Sequence, residues 1–118
     1  MLSMTVINLA PVTSRNQSYY GKAKRIEFKG VKYLKSYDTI VCAITAEGEF
    51  IRLWDKYSPT TGNHINDFRA FYGFETISKK EWGKIEVTKN FPIPDEVQGV
   101  EMKFKSTYYT NEVYNPYI

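Results

Sequence analysis

The chain has 118 residues, 42% hydrophobic and 16% aromatic, with a formal charge of +3, which is enough apolar material for one core and suits a single domain over 1–118. No run approaches the ~20 consecutive apolar residues of a membrane span. The start, Met1-Leu2-Ser3-Met4-Thr5-Val6-Ile7-Asn8, lacks the charged end and long apolar stretch of a signal peptide, so a soluble cytoplasmic protein with no membrane association is expected. A lone cysteine, Cys42, and a lone histidine, His64, exclude an intramolecular disulfide and a Cys/His structural zinc site within one chain.

Met4 to Leu9 reads as a short strand, followed by a polar connection rich in Ser and Asn. Lys24, Ile26 and Phe28 then alternate with Arg25, Glu27 and Lys29 up to Gly30, the pattern of a half-buried strand and a tight turn. Val31 to Leu34 returns as the second arm of a hairpin. The β-branched run Thr39 to Ile44 suits a central strand covered on both faces, and Ala46-Glu47-Gly48-Glu49 turns the chain so that Phe50 to Trp54 pairs back antiparallel.

Ile65, Phe68 and Tyr72 recur at helical spacing, and Gly73 follows as a stop, so a helix over 62–72 is predicted. Ser78-Lys79-Lys80-Glu81 has the form of a capping box, with Trp82 turned inward and Gly83 limiting a short second helix. Phe91-Pro92-Ile93-Pro94 is an extended connector set by its prolines. Beyond it Val100, Met102 and Phe104 alternate with Glu101, Lys103 and Lys105 as a strand with one wet face. The 98–118 region ends in an aromatic tail that includes Tyr108, Tyr109, Tyr114 and Tyr117. Leaving such side chains in water forgoes roughly 1.5–3 kcal/mol each, so the tail either docks on the domain or binds a partner.

Between Tyr19 and Tyr37 the cations Lys22, Lys24, Arg25, Lys29, Lys32 and Lys35 stand against Glu27 alone, interleaved with Tyr19, Tyr20, Tyr33 and Tyr37. Such a surface can neutralise phosphates and stack bases of single-stranded nucleic acid. Lysines along an edge strand also serve simply to solvate it and discourage unwanted pairing.

Ser58, Thr60 and Thr61 precede His64, with Asp67 one helical turn further on, so a nucleophile, base and orienting carboxylate can be drawn on paper. No glycine-rich elbow or oxyanion-hole pattern accompanies them. Hydroxyls in that position ordinarily cap a helix, and Ser58, Thr60, Thr61, His64 and Asn66 are read as a structural motif with no catalytic residue. His64 and Asp67 are too few for a metal site, and a phosphate seat at Gly62 lacks the phosphate-loop pattern and faces Asp55 and Asp67. No cofactor or metal is expected.

The runs Ser36-Tyr37-Asp38-Thr39-Ile40-Val41, Gly48 to Trp54, and Tyr57-Ser58-x-Thr60-Thr61-x-x-His64-Ile65-Asn66-x-Phe68 resemble a small, uncharacterised domain of phages, prophages and plasmids of Gram-positive bacteria, over about residues 19–75. The resemblance implies a shared fold and a mobile-element accessory protein. It carries no catalytic residues.

An α+β domain follows: an antiparallel sheet of strands near 24–28, 31–35, 39–45, 49–54 and 100–105, packed by the 62–72 helix and the short second helix. Its core is expected to hold Ile26, Phe28, Ile40, Cys42, Ile44, Ile51, Leu53, Ile65, Phe68, Tyr72, Met102 and Phe104. The expected function is non-enzymatic binding of a host macromolecule, a defence or replication protein, through Tyr108, Tyr109, Tyr114 and Tyr117. The alternative is a single-stranded nucleic-acid module built on the 19–37 surface, using Lys22, Lys24, Arg25, Lys29, Lys32, Tyr19, Tyr20 and Tyr33.

Overall fold

Five strands lie side by side in chain order: β1 (Met4–Asn8), β2 (Ala23–Phe28), β3 (Val31–Ser36), β4 (Thr39–Ile44) and β5 (Phe50–Arg52). The computed structural model describes residues 4–11, 22–101 and, for the backbone, 113–114. All described pairings between strands are antiparallel, and a two-residue strand, β6 (Val113–Tyr114), adds to β1, so the order is β5-β4-β3-β2-β1-β6. At the β2–β3 turn Lys29 (φ 53°) and Gly30 (φ 81°) both take the left-handed conformation, as a tight hairpin with right-handed strand twist requires.

Helix α1 (Pro59–Phe71) lies on one face. It starts earlier than the predicted 62–72 because Ser58 is its N-cap and Pro59 occupies the first turn, where a fixed φ and a missing N–H cost nothing. At the other end the Gly73 amide donates to Ala70 O (3.1 Å) and the Phe74 amide to Arg69 O (2.8 Å), with Gly73 at φ 85°. That is the double bond pattern that glycine permits after a helix. In α2 (Lys79–Lys84) both bonds of the Ser78/Glu81 capping box are present and Trp82 is buried.

The sheet is covered on both sides. Toward α1 and α2, Leu34, Cys42, Ile44, Ile65, Phe68 and Trp82 form one cluster; Met4, Val6, Ile26, Phe28, Tyr33, Ala43, Ile51, Val97 and Val100 form the other. The second is closed by Phe91, Ile93 and a short helix, α3 (Asp95–Gln98). This corrects the reading of β2 as a half-buried strand, since Arg25 and Lys24, on opposite faces, are both buried. Ile40, Leu53 and Tyr72, expected in the core, are partly buried at its margin. Of the strand expected over 100–105, Val100 and Glu101 are irregular backbone after α3; residues 102–105, with Met102 and Phe104, lie outside the described residues.

Candidate functional site

Ser58 holds an extended conformation, and its Oγ accepts the Thr61 amide at 3.1 Å, which closes the first turn of α1. Gly62 sits where the Tyr57 ring crosses the helix: a Cβ there would lie 2.8 Å from Tyr57 Cζ. With the turn so placed, Thr61, His64, Ile65, Asp67 and Phe68 are buried beneath the helix. Thr60 stays exposed.

Ser36, the last residue of β3, meets this surface. Its Oγ lies 2.8 Å from His64 Nδ1 and 3.0 Å from Thr61 Oγ1. Burial lowers the His64 pKa to about 4, against the opposing pull of Asp67 and with a smaller push from Lys22, so the imidazole is neutral at pH 7 and shares one hydrogen with Ser36. The Tyr37 ring stands 5.9 Å from the imidazole, tilted by 44°, while remaining 45% exposed itself.

A serine and a histidine at hydrogen-bond distance have the composition of a nucleophile–base pair. Here His64 is 0% exposed, and Ser36, Thr61 and Asp67 are buried with it. The geometry is that of a buried polar network in which Ser36 ties β3 to α1. Among the described residues no three His, Cys, Asp or Glu side chains are grouped to hold a metal ion.

Asn66 does a different structural job. Its Nδ2 donates to Ile77 O (3.0 Å) and its Oδ1 accepts the Ile77 amide (2.7 Å), a two-point clamp on the loop leading to Ser78. Arg52, which no sequence pattern singled out, fastens α2 to the sheet edge: Nε donates to Trp54 O, and Nη1 to Trp82 O and Ile85 O, at 2.7–3.1 Å. Its signal was weak because all three acceptors are backbone atoms, one of them 33 residues away.

The basic segment is divided by the two coverings. Lys22 and Lys29 are exposed, Lys32 is half-buried with Nζ 5.6 Å from the Tyr72 ring, and Lys24, Arg25, Tyr33 and Lys35 are buried. The expected continuous basic face is therefore corrected: α1 lies over one side of β2 and the 91–100 segment over the other. Tyr19 and Tyr20 lie outside the described residues, as do Tyr108, Tyr109, Tyr117 and the side chain of Tyr114.

Two aromatics stand out from the described surface: Tyr37, 45% exposed, and Phe71, at the end of α1, 51% exposed. The Arg25 guanidinium lies 3.7 Å from the Phe71 ring centre, and Tyr72 packs edge-on at 4.9 Å. Arg25 Nη1 donates to the Tyr72 hydroxyl (2.8 Å), which donates to Glu27 Oε2 (2.6 Å). Burial and the bond to Glu27 push the Tyr72 phenol well above its ordinary pKa, so that proton stays in place.

Fold and site together define a single α+β unit, an antiparallel sheet covered on both faces, whose polar cluster is internal and whose Tyr37 and Phe71 rings are exposed. The chain belongs to a family of unknown function (DUF8033), which matches residues 7–84, well over half its length and wider than the 19–75 stretch carrying the sequence resemblance. No curated protein and no solved structure matches it. No helix among the described residues is long and apolar enough to cross a membrane.

Proposed function

We propose that this is a non-enzymatic accessory protein of a phage or related mobile element, acting in the bacterial cytoplasm by binding a host protein such as a defence or replication factor. One contrast carries the reading. The side chains with chemical potential are sealed in the Ser36–His64 network, whereas Phe71 is presented to solvent on an ordered base of Arg25, Tyr72 and Glu27. A large ring already held in place loses little freedom on association, which is the character of an interface anchor. Lys32, whose Nζ lies 5.6 Å from the Tyr72 ring, stands beside this base, and its charge favours an acidic partner surface. The Ser-x-Thr-Thr-x-x-His-Ile-Asn resemblance supplies the mobile-element setting.

The test is affinity capture from host lysate with wild-type protein and Phe71→Ala. One host protein retained by wild type and lost by a variant with an unchanged melting midpoint supports the reading; equal retention by both contradicts it. The second reading, single-stranded nucleic-acid binding, draws on exposed Lys22 and Lys29 with Lys32 beside them. It expects oligonucleotide affinity that falls steeply with salt and is abolished by Lys29→Glu with Lys32→Glu.

A further inference from the structure

On the face of the sheet away from α1, β2 and β3 set two lysines directly opposite one another. Lys24 and Lys35 are cross-strand partners, each 6% exposed. Lys24 Nζ donates to Asn8 Oδ1 at 2.6 Å, and Lys35 Nζ donates to the carbonyl oxygens of Gln98 (3.0 Å) and Val100 (2.7 Å). All these acceptors are neutral. A protonated lysine has three N–H donors; these bonds use one on Lys24 and two on Lys35, so both ammoniums keep a donor in hand.

Among the described residues, no carboxylate forms an ion pair with Lys24 or Lys35. Glu27 pairs with Arg25 on the other face, and among the described residues no ion pair joins Asp38, Asp95 or Glu96 to either lysine. Asp38 acts on Lys35 from a distance, and that pull is outweighed by burial, which lowers the pKa of both amines. Like charges facing each other across two strands repel, and a buried ammonium without a counter-charge is costly. Beside Lys35 the surface opens into a hollow lined by Asp38, Thr39, Ile40, Ile93 and Gln98. The hollow offers a route from solvent to the buried charge.

We propose that the Lys24–Lys35 pair is a seat for a small oxyanion of the phosphate type, which enters through this hollow and takes up the remaining donors of the two ammoniums. Two cations at facing positions of β2 and β3 match the charge of a dianion, and phosphate supplies charged acceptors in place of neutral oxygens. The seat lies on the opposite face of the sheet from Phe71, so it stands or falls independently of the proposed host-protein interface.

Inorganic phosphate is the probe, titrated against sodium chloride at matched ionic strength while the melting midpoint is followed. The expected result is a saturable rise of about 5 °C. Phosphate also stabilises proteins by exclusion from their surface, so Lys24→Met is run in parallel. That variant removes one of two facing charges: its midpoint in chloride equals or exceeds that of wild type, and its saturable phosphate response is gone. If Lys24→Met does not fold, Lys24→Gln takes its place, and isothermal titration of phosphate into wild type and variant reads binding directly. A wild-type response to phosphate no larger than that of the variant, or no heat of binding to wild type, overturns the proposal.

Discussion

Acidification separates an internal His64 from an exposed one. In the folded chain burial holds the imidazole pKa near 4, below its ordinary 6.5. The unfolded chain therefore takes up a proton as pH drops below 6.5, while the folded chain resists until about 4. Stability from this group is complete above pH 6.5, declines between 6.5 and 4, and is fully lost below 4. At 1.36 kcal/mol per pKa unit the loss amounts to about 3 kcal/mol, a large share of an ordinary domain's 5–15 kcal/mol. The assay is urea denaturation at half-unit pH steps for wild type and His64→Gln. Other acid-sensitive groups, such as Glu81 in its capping box, whose pKa is lowered by its bonds to Ser78, are common to both proteins and cancel in the difference. The gap between the two stability curves should change by about 3 kcal/mol across the window. A constant gap would refute a neutral, sealed imidazole.

Gly62→Ala forces a methyl group into the Tyr57 ring and should cost about 1–3 kcal/mol by overpacking, read from the denaturation midpoint; an unchanged or raised midpoint, as helix propensity alone would give, counts against the contact. Asn66→Ala removes both bonds to Ile77 at about 1–3 kcal/mol, with faster hydrogen exchange at Ile77, Ser78 and the α2 amides than in β3 and β4. Cys42 is fully buried and its thiol pKa is raised well above normal by desolvation, so a thiol reagent should modify it only as fast as the domain opens. Rapid labelling at pH 8 without denaturant would place the thiol somewhere other than the core of β4.

Features confined to a few neighbouring residues were readable in the sequence. The Ser78–Glu81 box, the Gly73 stop and the Gly30 and Gly48 turns each depend on residues within about one turn of one another, and each has its expected form. The strands of the main sheet were legible for the same reason. Partnerships across the fold were not. Ser36 bonds His64 from 28 residues away, and nothing near either residue announces the other. Alternation in Lys24-Arg25-Ile26-Glu27-Phe28 identified a strand, but it assigned the charged side to water. In fact Tyr72, 47 residues on from Arg25, receives that guanidinium and covers it. Proline content marked 91–94 as extended and gave no sign that α3 and Val100 would close a second apolar face. The run of cations expected as the alternative binding surface is divided accordingly, the terminal tyrosines of the leading expectation have side chains outside the described residues, and the anchor now proposed is Phe71.

A photoreactive benzoyl-phenylalanine placed at Phe71, and separately at exposed Glu47 on the β4–β5 turn, would record contacts in the living host. The proposed function requires a covalent adduct with one host protein from position 71 and none of that species from position 47. No adduct from position 71, or the same adducts from both, would contradict it.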